Sequence, residues 1–229
     1  MSGARGVFVT GTDTGVGKTL VACGLLHACT ARGWGAVGMK PVASGAQLVD
    51  GELRNSDVEQ LLAASSVRVP RALANVYCFA APVAPHIAAH AAGVKIEIAP
   101  IERAYHALAQ LGEVVVVEGV GGFRVPLDET HDTSDLALAL QLPVVMVVGM
   151  RLGCLNHALL TAAAIATRGL RLAGWIANQV EPHMRESDAN VATLAQRLAA
   201  PCVACIHHDP AVRACDVARK IDLGFLGAE

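Results

Sequence analysis

Six stretches of the chain are apolar without interruption: Val7 to Thr10, Ala36 to Met39, Val114 to Val117, Val144 to Val148, Leu172 to Ala177 and Cys202 to Ile206. A strand with one wet face alternates apolar and polar residues. A strand covered on both faces does not, so these runs predict a parallel sheet buried between layers. Helical spacing fills the intervals. Leu20 to Ala31 is stopped by Arg32-Gly33, and Asp57 to Ala64 is opened by the capping types Asn55-Ser56. Further helices are predicted over His86 to Ala92, Ile101 to Leu111, Thr133 to Leu140, Asn156 to Arg168 and Ser187 to Ala199. The proline-punctuated segment 70–85 predicts irregular chain with one short strand, and the polar segment 47–53 a mobile loop.

Strands alternating with helices predict an α/β fold with helices on both faces of the sheet. Right-handed crossovers would place every strand's carboxyl end on one edge, where ligands bind in such folds. No repeat, low-complexity tract or linker breaks the pattern, so residues 1–229 are predicted to form a single domain.

Composition narrows the class. The chain is 53% hydrophobic but only 3% aromatic, so its core must be built from Ala, Val and Leu. A net charge of −2 gives no electrostatic basis for a nucleic-acid or anionic-membrane partner. The first residues, Met1 to Arg5, do not fit a signal peptide, and Leu136 to Met150 is too interrupted to span a membrane. Seven scattered cysteines read as reduced thiols, and a cytoplasmic location is expected.

The first strand leads into Gly11-Thr-Asp-Thr-Gly-Val-Gly-Lys-Thr19 and then a helix. A strand, a glycine-rich turn and a helix opening on Lys-Thr form a phosphate-binding loop. Its amides make a nest for phosphate oxygens, and the helix start adds positive potential. Five residues separate Gly11 from Gly17, one more than the strict pattern. In this reading Lys18 meets the outer phosphates and the Thr19 hydroxyl ligates Mg²⁺. The fold class is therefore a P-loop NTPase-type parallel sheet.

The other strand ends carry the remaining chemistry. Glu118 directly follows the buried valines, where a carboxylate needs a partner or a metal. With Thr19 and Asp57 it would make a hard oxygen site suited to Mg²⁺; Asp57 alone is equally an acid in a helix's first turn. Lys40 is either a solvated charge or, facing the loop, a group that neutralises a phosphoryl or anionic substrate. Cys202-Val-Ala-Cys205 with His207 and His208 lacks a second pair at metal-ligand spacing and reads as buried strand thiols.

Taken together, the loop, Lys40-Pro-Val-Ala-Ser-Gly45, Leu53-Arg-Asn-Ser-Asp57, Val117-Glu-Gly-Val-Gly-Gly122 and Leu152-Gly-Cys-Leu-Asn-His157 resemble the dethiobiotin synthetases. The likeness runs in order from Val7 to about Gln179. It implies a homodimeric P-loop enzyme that converts 7,8-diaminononanoate, CO₂ and ATP into dethiobiotin, ADP and phosphate. It assigns Lys40 and Lys18 to catalysis, and Thr19, Asp57 and Glu118 to the metal. It places Gly15, Val16, Gly17, Lys18, Thr19 and Leu20 with Gly119, Val120 and Gly121 around the nucleotide, and Asn178 with Gln179 at the adenine. Thr12 and Ser44 would bind the diamine. Gly153, Cys154, Leu155 and Asn156 would take its carboxylate across the dimer interface.

The chain departs from the family at Arg151, where many members have Lys, and at Gln179, where Asp is common. Ala204-Cys-Ile-His-His208 stands where a Gly-Glu-Ile-Pro-like loop is expected, and Gly15 loosens the phosphate loop. The alternative class is a switch or partitioning ATPase of the same superfamily. Those proteins carry a second lysine early in the loop, where this chain has Asp13.

Overall fold

The computed structural model describes residues 5–227. The expectation for the first residues therefore lies, apart from Arg5, outside the described part. Each apolar run becomes a strand, in places longer than its run. They are β1 (Arg5–Gly11), β2 (Ala36–Met39), β7 (Val114–Glu118), β8 (Val144–Met150), β9 (Leu172–Gln179) and β10 (Cys202–Ile206). Two short pairs lie outside this set: β3 (Val42–Ser44) with β6 (Tyr77–Phe79), and β4 (Gln47–Val49) with β5 (Glu52–Arg54).

The helices occupy the intervals. Those in the first half are α1 (Lys18–Ala31), α2 (Ser56–Ala64), α3 (Arg71–Ala74), α4 (Pro85–Ala91) and α5 (Ile98–Ala109). The second half holds α6 (Thr133–Leu140), α7 (Cys154–Thr167), α8 (Ser187–Arg197), α9 (Ala214–Ala218) and α10 (Gly224–Gly227).

The six strands form one sheet in the order β10-β9-β8-β1-β7-β2, and every pairing in it is parallel. The chain winds outward from β1 to β2, returns to insert β7 between them, and then crosses to β8 on the other side of β1. That reversal puts the topological switch point at β1, beside the phosphate loop.

Burial on both faces explains the unbroken apolar runs. Val7, Val9, Val114 and Val116 pack into one core with α1, whereas Phe8, Val115 and Val117 point into the opposite core with α5 and α6. Beneath α7 and α8 a third cluster gathers Met146, Val148 and Trp175. Among the described residues no helix is long and apolar enough to cross a membrane.

Two local expectations are corrected. Segment 47–53 is an antiparallel hairpin, not a mobile loop, and it turns on Asp50-Gly51 with both residues at positive φ (52° and 81°). Asp-Gly between short strands is a known signal for that turn. Segment 70–85 contains a helical turn in addition to its short strand.

Trp175 is wholly buried at the centre of β9. Trp175→Ala is expected to lower unfolding stability by about 3–5 kcal/mol, as large aromatic truncations in close-packed cores do. Urea denaturation followed by circular dichroism measures it.

Candidate active site

A cavity of about 690 Å³ opens at the carboxyl edge of the sheet. Its polar wall includes Thr14, Lys18, Thr19, Lys40, Ser44, Asp57 and Glu118, residues as much as 104 positions apart in sequence.

Lys18 and Thr19 open α1. The preceding Gly17 is the N-cap, with φ at +91°, a conformation that strains any residue with a side chain. A Cβ at this position would also lie 2.2 Å from Nδ2 of Asn178. The Asn178 amide in turn donates to the Val16 carbonyl at 2.8 Å and so fastens the loop to the end of β9. Lys18 is buried and donates to the Asp13 carbonyl at 3.1 Å. Burial and the nearby Lys40 charge lower its pKa from 10.5 to about 8.

Glu118 ends β7 with 1% of its surface exposed. Its Oε1 accepts from Thr19 Oγ1 at 2.9 Å and from Lys40 Nζ at 2.6 Å. Its other oxygen, Oε2, is buried with no partner. Lys40 Nζ also donates to Asp57 Oδ2 at 2.7 Å. The Lys40 ammonium thus bridges two carboxylates at the end of β2. Burial disfavours its charge, but Glu118 and Asp57 more than offset that and raise its pKa. Burial pushes the Glu118 carboxyl upward despite the Lys40 charge beside it. The open alternative for Lys40 is resolved: it is not a solvated surface lysine.

Two asparagines set this cluster in place. Asn75 Nδ2 donates to the Lys40 carbonyl at 2.7 Å, and the Lys40 amide donates to the Ala74 carbonyl at 2.8 Å. Asn55 caps α2, accepting from the Asp57 and Val58 amides at 3.0 and 3.4 Å. Its Nδ2 donates to the Ser44 carbonyl at 3.0 Å. One side chain therefore positions both Asp57 and Ser44, whose buried hydroxyl has no partner of its own.

The donor set suits Mg²⁺. Thr19, Asp57 and Glu118 offer hard oxygens, and the unpartnered Glu118 Oε2 is a polar atom awaiting a cation or proton donor. The Lys40 ammonium offsets the two carboxylate charges at this corner.

Gly15, Gly17, Val120 and Gly121 join the cavity wall. Thr12 does not. Its amide and hydroxyl are tied to β8 through the Val147 carbonyl and the Gly149 amide. Val16 is buried under the loop, Leu20 packs on the core side of α1, and the Gly119 amide is bonded to Val9. Gln179 lines a separate small cavity with Cys205 and His207. Gly153, Cys154, Leu155 and Asn156 sit at the start of α7, away from this chain's own cavity. Arg151, beside them, forms an ion pair with Asp13 across the loop.

Pro82, Val83 and Val125 also line the cavity. Being apolar, they carry no chemical signal in the sequence. The C-terminal cysteines correct the buried-thiol expectation: Cys205 is exposed and Cys202 only half-buried.

Fold and site define a P-loop nucleotide-binding protein. Comparison with solved structures gives the same fold: MinD cell division protein of Aquifex aeolicus superimposes with a TM-score of 0.56 at 14% identity, over 95% of this chain and 87% of that one. Septum site-determining protein MinD of Pyrococcus horikoshii gives 0.53 at 13% identity, over 99% and 90%. A family model described as AAA domain matches residues 5–215.

Sequence relatives are more specific. The chain is 54% identical over 215 residues to a protein of Aromatoleum aromaticum named ATP-dependent dethiobiotin synthetase, covering 92% of this chain and 96% of that one. It is 52% identical over 216 residues to the protein of that name from Xanthomonas oryzae, covering 94% and 96%. The chain belongs to the ATP-dependent dethiobiotin synthetase family. The switch or partitioning reading is not favoured, since likeness to MinD at this identity extends to the fold alone.

Removing the shared support at Asn55 has a defined consequence. Asn55→Ala is expected to cost about 1–2 kcal/mol of stability through the lost cap. Chemical denaturation reads the loss, and a transition coincident with the parent's would show that the cap is dispensable.

Proposed function

We propose that the protein converts 7,8-diaminononanoate, CO₂ and ATP into dethiobiotin, ADP and phosphate, as its relatives' name implies. The observation that carries this is the Lys40 ammonium, held between Asp57 and Glu118 on the wall of the phosphate-loop cavity. Phosphoryl transfer asks for positioning and charge stabilisation, and this site is built for both.

In this reading the loop amides and Lys18 bind the triphosphate. Thr19, Asp57 and Glu118 would hold Mg²⁺, which when bound neutralises charge on the phosphates. The diamine lies toward Ser44, whose free hydroxyl can bind one amine. One amine adds to CO₂ and loses a proton to give a carbamate. Its oxygen attacks the γ-phosphorus as the bond to ADP breaks, and Lys40 stabilises the charge on both oxygens. The second amine then attacks the carbamoyl carbon and gives up a proton to water, and phosphate leaves as the ring closes.

Asn178, whose amide nitrogen already holds the loop, keeps its carbonyl oxygen for the adenine amino group, with Gln179 beside it. Gly153 to Asn156 lie too far along the edge to line their own protomer's cavity. A homodimer would let them meet the partner's substrate through the orphan amides of a helix start. Residues 1–229 would act as one domain in the cytoplasm.

Lys40→Gln is expected to abolish dethiobiotin formation while largely sparing Mg²⁺–ATP binding. Product formation together with calorimetric ATP titration separates these effects, and retained synthesis would refute the role of Lys40. In the parent protein ADP release should require both the diamine and bicarbonate; a switch ATPase would release ADP without either.

Lys18 gives a pH signature. Its folded pKa of about 8 lies below the unfolded value of 10.5. Below about pH 8 both states hold the proton, and burial of the ammonium costs stability in full. Between these values the unfolded chain binds a proton that the folded chain lacks, so this cost is relieved as pH rises. Phosphates against Lys18 favour the ammonium. ATP binding near pH 9 is therefore expected to take up close to one proton, falling toward none below pH 7. Calorimetry in buffers of different ionisation heat measures this, and Lys18→Gln should remove it.

A further inference from the structure

The half-buried and exposed thiols on the last sheet strand have no place in the reaction above. In a regular strand, residues three apart point to opposite faces. Strand β10 is not regular: its register against β9 shifts between Cys202 and Ala204, the mark of a bulge. The bulge sends Val203, Ala204 and Ile206 all into the core on the α1 face. Cys202 is left on the opposite face, packed against the cluster beneath α7 and α8. Cys205 joins it there, lining a cavity of about 200 Å³ with Asp188, Val191 and Ala192 of α8. The two sulfurs lie 3.7 Å apart, and both are free thiols.

We propose that Cys202 and Cys205 form a reversible dithiol–disulfide site that reacts with small-molecule disulfides through Cys205. The separation is short enough that side-chain rotation can bring the sulfurs toward the covalent length of about 2.05 Å. Among the described residues no group of three or more His, Cys, Asp or Glu is placed to hold a metal ion, so His207 and His208 do not turn the pair into a metal centre.

Exposure fixes the order of events. Cys205 is open to solvent, whereas burial and the neighbouring Cys205 push the Cys202 thiol up to about 12. The Cys205 thiol, once it has lost its proton to water, attacks one sulfur of the external disulfide. That S–S bond breaks, and one external thiolate leaves and is protonated. Cys202 then gives its proton to water, its sulfur bonds to Cys205 Sγ, and the second external thiolate leaves. In sum two protein thiols are oxidised by two electrons and one external disulfide is reduced to two thiols.

The test is to incubate the full chain with excess oxidised glutathione, then count thiols after denaturation and map peptides by mass. The expected result is loss of two of the seven thiols and an internal Cys202–Cys205 disulfide without bound glutathione, reversed by dithiothreitol. Cys202→Ser should instead retain a stable glutathione adduct on Cys205, and Cys205→Ser should leave Cys202 unmodified. A lasting glutathione adduct on Cys205 in the parent chain would overturn the proposal, as would seven unreacted thiols. Should either variant fail to fold, the parent chain alone still decides between these outcomes.

Discussion

The site depends on one electrostatic constraint: a carboxylate set at the end of a wholly apolar strand. Glu118 has almost no contact with solvent, and an unpaired charge in that position is strongly disfavoured. The Lys40 ammonium and the Thr19 hydroxyl meet the constraint. Lys40 in turn fixes Asp57, so the end of β2, the end of β7 and the starts of α1 and α2 are drawn to one point. The charge that needs compensation is also the charge that can receive a cation.

Around that point the backbone is unusually committed. Gly17 has no room for a side chain beside Asn178, and Asn178 holds the loop by the Val16 carbonyl. Asn55 and Asn75 do the same for Ser44, Asp57 and Lys40, each by hydrogen bonds to backbone groups. Amides serve this purpose well because they donate and accept without adding charge to a crowded electrostatic corner.

Much of this is legible in the residue pattern, and the exceptions have reasons. Unbroken runs such as Val114 to Val117 announce strands buried on both faces, and the Gly-rich turn before Lys18-Thr19 announces the phosphate loop. The hairpin at Asp50-Gly51 is hidden when polar composition is weighed above turn chemistry. Thr12 reads as a substrate contact, but its hydrogen bonds run to β8. The apolar cavity wall at Pro82, Val83 and Val125 is invisible because such residues look the same in a core and in a binding site.

By itself the sequence determined the six strands of the main sheet, most helices, the phosphate loop and the type of chemistry, since periodicity, capping and turn preference act over a few neighbouring residues. Tertiary structure alone decided the strand order, the meeting of Thr19 with Glu118 and the bridge from Lys40 to two carboxylates. It also decided that a bulge turns Cys202 and Cys205 to the same side. Those outcomes depend on register and on contacts between residues as far as 136 positions apart, as in the pairing of Phe8 with Val144, and no local pattern encodes such a distance.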